Sequence, residues 1–141
     1  MAKAGETMAN GFIESIEKVE EYLEELRIIL CSDNFDLEHD FDILFGTTEN
    51  STGYKNVKTI EDLRYKKSDI RNVLLSLTVN DYSETLSDVN NPDSPPLYVF
   101  GKTINAKDVY IKVKIRNRAN RQVFCLSFHF AQFPISKPYL E

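Results

Sequence analysis

Glycine is scarce in this chain, with five residues among 141. None falls in a closely spaced set of the kind that cradles phosphates through backbone amides, so a Gly-rich nucleotide loop is excluded. Tryptophan is absent, and the two cysteines, Cys31 and Cys125, stand far apart in apolar surroundings. That usage excludes a disulfide framework and a CxxC pair and predicts free, buried thiols in a reducing compartment. HExxH and GxSxG motifs are also missing. Cys31 and His39 have no partners at metal-ligand spacing, and the acids Asp33, Asp36, Glu38, Asp40 and Asp42 lack the glycine and closing glutamate of a calcium hand, so no metal and no cofactor is expected. No apolar run approaches the roughly 20 residues that span a bilayer. Met1 to Asn10 holds one lysine and no apolar centre, unlike a secretory signal. These residues, 1–10, read as a flexible tail, residues 11–141 as a single domain, and the protein as cytoplasmic with no membrane partner.

Charge is present but uneven. The net charge is −5. Residues 91–141 carry eight cations and three acids, or +5, which leaves −10 on the first ninety. An acidic front and a basic back suit different neighbours, although they can also neutralise each other across a fold.

Hydrophobic periodicity divides the chain in the same way. Phe12, Ile16, Val19, Leu23, Leu26 and Leu30 alternate steps of four and three, which predicts a helix over 12–30 with a glutamate-rich outer face. Phe35 to Thr48 is mixed, fitting one short strand or a helical turn. Glu49 to Gly53 reads as a loop, and Thr59 to Tyr65 fits either a strand or helix. Ser68-Asp69 predicts the N-cap of a second helix carrying Ile70, Val73, Leu74 and Leu77. Asn80 to Thr85 leads into an irregular loop through Pro92, Pro95 and Pro96. Three strand-like runs follow: 97–104, 109–116 and 122–130. The connections at Asn105–Asp108 and Asn117–Arg121 are short enough to join only antiparallel neighbours. The expected fold is α+β, with N-terminal helices packed on a C-terminal antiparallel β-meander.

The middle run carries the strongest functional signal. Val109, Ile111, Val113 and Ile115 form one face, and Tyr110, Lys112, Lys114 and Arg116 the other. In the last run, Phe124, Leu126, Phe128 and Phe130 are expected toward the helices. Val123, Cys125, Ser127 and His129 then share the face of Tyr110 and Lys112. Tyr98, Phe100 and Lys102 join that face in one register, and Leu97, Val99 and Thr103 in the register one residue away. Lysines and arginines take phosphates, aromatics stack bases and a histidine moves protons, so RNA is the partner this face fits. Cleaving RNA without a metal requires a base for the 2′-hydroxyl, a cation for the phosphorus-centred charge and an acid for the leaving oxygen. His129, Lys112 or Lys102, and Tyr110 supply those types. Exposed strand lysines that merely protect a sheet edge are the plain alternative.

Asn72 to Leu77, Asn80-Asp81-Tyr82, Val109 to Val113 and Leu126-Ser127-Phe128 resemble, in order and spacing, motifs of the MqsR toxin family. The resemblance covers roughly Asn72 to Phe130. It implies a RelE-like fold and the toxin of a type II toxin–antitoxin pair. Such a toxin is an endoribonuclease that cleaves mRNA and is held inactive by a cognate antitoxin, expected to be a helix-turn-helix protein encoded nearby. Tyr110 and Lys112 keep the identities of the family's Val-Tyr-x-Lys strand. His129 stands where the family closes its last strand with lysine, Ser83-Glu84 where it has Tyr-Lys, and Phe100 near its glutamine. The catalytic set expected on these grounds is His129, Tyr110, Lys112 and Glu84, with the glutamate able to act as general base. Lys102, Lys114, Arg116, Arg118 and Tyr98 are expected to bind RNA. Because Glu84 replaces a lysine and the net charge is negative, a non-catalytic RNA- or protein-binding module of the same fold is the alternative.

Overall fold

The computed structural model of the protein describes residues 9–116 and 121–141. Among them are β1 (Ala9–Phe12), α1 (Ile16–Leu30), α2 (Leu37–Asp40), β2 (Phe41–Ile43), α3 (Thr52–Leu63), α4 (Lys67–Leu75) and a 3-10 turn (Val79–Asp81). Then come β3 (Tyr82–Asp88), β4 (Leu97–Ile104), β5 (Lys107–Arg116) and β6 (Gln122–Phe130). The strands form one six-stranded sheet in the order β1-β3-β4-β5-β6-β2. Only β2 runs parallel to its neighbour, β6; every other pair is antiparallel. The fold is therefore α+β, with the expected meander at its centre. No described helix is long and apolar enough to cross a membrane.

Ser15 caps α1 by accepting from the Lys18 N–H at 3.2 Å. The helix starts at Ile16, not Phe12, because Phe12 pairs with Thr85 in the sheet. Ala9 and Asn10, expected in the flexible tail, belong to β1; the rest of that expected tail, residues 1–8, lies outside the described residues. Val19, Leu23, Leu26 and Leu30 bury the predicted stripe against one face of the sheet, joined by Tyr22 and Ile29. Tyr22 stacks on Tyr98 with centroids 3.6 Å apart. Ile70 and Leu74 of α4 complete the core with Ile111, Val113, Phe100 and Phe128.

Several local expectations need correction. The α4 cap is Lys66, whose N–H donates to the Asp69 carboxylate at 2.8 Å; Asp69 acts from the third helical position instead of as the cap. Ser51 starts α3 by accepting from Tyr54 N–H, so Thr52 and Gly53 are helical and Thr59 to Leu63 continues that helix. Tyr82 to Asp88 is a strand, not part of the loop, because it pairs with both β1 and β4. Cys31 is exposed just past α1, while Cys125 is buried, its thiol pushed up to about 12 by burial.

Two β-bulges decide which side chains share a face. Ser83 is an extra residue between Tyr82↔Phe100 and Glu84↔Val99. It turns Glu84 away from the helices while Tyr82 stays in the core. Leu126 is extra between Lys112↔Ser127 and Val113↔Cys125. Val123 and Cys125 therefore point into the core with Phe128, and Phe124 takes the opposite face beside Lys114 and Arg116. The expected faces hold from Ser127 to Phe130, and that one inserted residue reverses them from Val123 to Cys125.

At the far edge, α3 completes the ladder that β2 leaves unfinished. Asn56 is fully buried. Its Nδ2 donates to Leu44 O at 2.9 Å and Leu126 O at 3.0 Å, and its Oδ1 accepts from Phe128 N–H at 2.8 Å. Thr59 Oγ1 accepts from Phe130 N–H at 3.0 Å. These bonds satisfy edge groups that would otherwise be stranded. They also fix the end of β6 that carries His129.

Candidate active site

The face opposite the helices holds a cavity of about 370 Å³ at one end of the sheet. Its floor comes from Glu84 and Ser83 on β3, Tyr110 on β5 and His129 on β6. Tyr110 and His129 are register partners, with ring centroids 5.5 Å apart and planes inclined by 27°. The remaining wall is the segment after β6, which returns across this face. Ala131 N–H donates to Asp108 O at 2.9 Å, and Ile135 then packs against the bare backbone of Gly101, the residue opposite Tyr110. The segment is finally held by Tyr139, whose hydroxyl donates to Glu14 O at 2.6 Å.

Lys112 stands one inward step along β5, with its Nζ 5.6 Å from the Tyr110 ring centroid. Half-burial lowers its pKa, and the negative charge of Glu84 partly opposes that shift. Half-burial also lowers the pKa of His129. Its Nδ1 lies 3.0 Å from Phe130 O, which counters the shift, while Lys55 and Lys112 add to it. A carbonyl oxygen only accepts, so Nδ1 carries the proton in that hydrogen bond and Nε2 is left as the accepting nitrogen of the neutral ring. Tyr110 is raised above the ordinary phenol value by burial and then by Glu84, which keeps the hydroxyl protonated and donating. The arrangement thus sets an imidazole, a phenol and a carboxyl group around one opening, with a lysine amine beside the phenol ring. That is a competent set for acid–base chemistry on a phosphate ester. Among the described residues, no group of three His, Cys, Asp or Glu side chains is placed to hold a metal ion.

Three of the four expected catalytic residues, Glu84, Tyr110 and His129, therefore line one cavity, and Lys112 lies beside Tyr110 without lining it. The expected RNA-binding set is not brought together. Tyr98 pairs with Val113 and Lys102 with Val109, so the register places both on the helix face. Tyr98 is buried with its hydroxyl donating to Glu14 at 3.0 Å, and Lys102 is committed to Asp81 at 3.3 Å and Ser76 O at 3.4 Å. Val99, Gly101 and Thr103 occupy the face where those two were expected. Lys114 and Arg116 do lie on the Tyr110 face, but two and three pairs of positions along the strand, about 13 and 20 Å from Tyr110. Both rest on the Phe124 ring, and Arg116 also bonds Asp42. Arg118 lies outside the described residues.

Sequence reasoning missed Ser83, Lys55 and the whole wall formed by residues 131–136. A signal for the wall existed. Glycine inside a strand marks a close approach by another backbone or side chain, and Gly101 is the one glycine within a predicted run. Comparison of the chain with family models, curated proteins and solved structures returns no match.

Proposed function

We propose that this protein is a metal-independent endoribonuclease of RelE-like type that acts on mRNA. In this reading it is the toxin of a type II toxin–antitoxin pair, related to the MqsR family. The observation that carries the proposal is the convergence of Glu84, Tyr110 and His129 from three strands onto one cavity, with Lys112 Nζ 5.6 Å from the Tyr110 ring centroid. His129 takes the proton from a ribose 2′-hydroxyl as its oxygen attacks phosphorus. The P–O5′ bond breaks, and Lys112 gives its proton to the departing 5′-oxygen after neutralising charge on the pentacoordinate phosphorus. The products are a 2′,3′-cyclic phosphate and a 5′-hydroxyl. Tyr110 donates to a non-bridging oxygen. Glu84 touches no phosphate in this scheme; its charge keeps Lys112 protonated at the start of the reaction.

Incubation of the purified protein with single-stranded RNA in EDTA tests this. Cyclic-phosphate ends should appear, and His129→Ala and Lys112→Ala should each slow cleavage about 10²- to 10⁴-fold. Absence of cleavage by the wild type, or equal rates in the variants, would overturn the assignment. Growth arrest on induction, relieved by a neighbouring helix-turn-helix protein, tests the toxin reading. The net charge of −5 and the carboxylate of Glu84 in the cleft favour a second reading, an RNA- or protein-binding module without catalysis. Salt-dependent RNA binding without product would select it.

A further inference from the structure

Phe133 is 78% exposed, the highest value among the large apolar side chains described. A phenyl ring on a frayed terminus would need no explanation, but this one is held from both sides. Two residues earlier Ala131 is bonded to Asp108 O, and two residues later Ile135 is seated on Gly101. Pro134 further restricts the backbone between those anchors. The ring therefore stands in water on a fixed ridge. That ridge separates two cavities. One is the cleft of Tyr110 and His129, and the other, about 380 Å³, is lined by Lys107, Asp108 and Phe130. Lys107 Nζ lies 4.8 Å from the Phe130 ring centroid, and the Asp108 carboxylate accepts from Thr103 Oγ1 at 2.9 Å. The second cavity thus offers a cation supported by an aromatic face, beside a carboxylate that already has a donor.

We propose that Phe133 is the stacking platform for the base flanking the scissile phosphate, and that Lys107 holds that nucleotide's own phosphate in the second cavity. This rests on the RNA-cleaving reading and extends it to a strand path across the ridge. Stacking suits an unpaired base, because every base has a π-face and the ring is open to solvent. The substrate is accordingly single-stranded at this position, and the platform tolerates any base. Phe133 is a positioning residue; it touches substrate without taking part in bond exchange.

The test uses the full chain, EDTA and a short fluorescein-labelled single-stranded RNA, with binding read by anisotropy and cleavage by gel. Phe133→Ala should weaken binding about tenfold and Phe133→Trp should retain it. In cleavage, the loss should fall on KM. An RNA made abasic at the flanking position should bind the wild type as weakly as intact RNA binds Phe133→Ala, and that variant should not distinguish the two RNAs. Lys107→Ala should reduce the slope of log Kd against log salt by about 0.7. Because Phe133 is exposed, its thermal unfolding should match the wild type and exclude a folding defect. Equal binding and KM for Phe133→Ala and wild type would overturn the platform even if cleavage is robust. Binding without product that still depends on Phe133 would sustain it and overturn the nuclease reading alone. Failure of the wild type to bind RNA at all would overturn both.

Discussion

Ile135 occupies the space that a side chain on Gly101 would need. A β-carbon at Gly101 would stand 2.8 Å from Ile135 Cδ1 and 3.1 Å from Lys137 Cε. Because Gly101 is paired with Tyr110, the missing side chain brings the C-terminal segment down beside the aromatic floor of the cleft. The depth of the candidate site depends on that one close approach.

Gly101→Ala should therefore act on the segment more than on the sheet. The crowded atoms are Ile135 Cδ1 and Cγ2 and Lys137 Cε; all belong to side chains, and the Cγ2 branch moves only with the whole isoleucine, so the shift costs about 1 to 3 kcal/mol. Gly101→Val should lift the segment. Hydrogen exchange at residues 131–137 should quicken, and RNA cleavage should fall about tenfold or more as the cleft loses its wall. Unchanged exchange in Gly101→Val would show that the contact does not hold the segment.

The pH profile of cleavage should be bell-shaped, with both limbs displaced downward. His129 works as the neutral base and its pKa lies below 6.5, so activity should rise on an acid limb below that value. Lys112 works as the ammonium and its pKa lies below 10.5, so activity should decline before pH 10.5. Burial is the main cause of both shifts. The same shift of His129 affects folding in one direction. Above pH 6.5 the imidazole is neutral in both states and imposes no penalty. As pH falls through 6.5 the unfolded chain takes up the proton first, and stability declines until the folded pKa is passed. Stopped-time assays across pH, with and without His129→Ala, check the acid limb.

Glu84→Gln separates a counter-ion from a general base. Removing its charge should leave Lys112 further below its ordinary value, so the alkaline limb should move to lower pH while the acid limb stays in place. The Tyr110 pKa should fall as well, because Glu84 raises it. If Glu84 is instead the base, the variant should lose cleavage at every pH by about 10²-fold or more. A complete profile of the single variant distinguishes the two.

The central meander was legible because its period-two pattern is long and its turns are short. β4 and β6 begin and end at the predicted residues, and β5 starts two residues early because Asn105 and Ala106 alone make the turn, at φ of 52° and 68°. That His129 shares a face with Tyr110 was readable from the same pattern; that the two are direct register partners was not. What stayed hidden was of another kind. An inserted residue such as Ser83 or Leu126 leaves no periodic trace of its own, yet each reverses the faces on one side of it. Register between β4 and β5 was open by one residue, and that step decided the fate of Tyr98 and Lys102. β3 lies in a polar stretch, so its partners make it a strand more than its composition does. Ser51 was the available signal for the start of α3, being a capping residue immediately ahead of the helix.

Asn56 and Thr59 carry the last prediction, which joins stability to activity. Asn56→Leu keeps much of the volume but strands Leu44 O, Leu126 O and Phe128 N–H at a fully buried position. Unpaired buried groups of this kind cost about 3 kcal/mol together, which should lower the thermal midpoint by roughly 10 °C. Thr59→Val removes only the acceptor of Phe130 N–H and should cost about 1 to 2 kcal/mol. His129 lies between Phe128 and Phe130, so both variants loosen the strand end that presents it. Thr59→Val should consequently leave a folded protein at 25 °C whose cleavage rate falls more than its stability loss explains. Thermal melts paired with initial rates test this: a rate equal to wild type in folded Thr59→Val would mean that β6 positions His129 without help from α3.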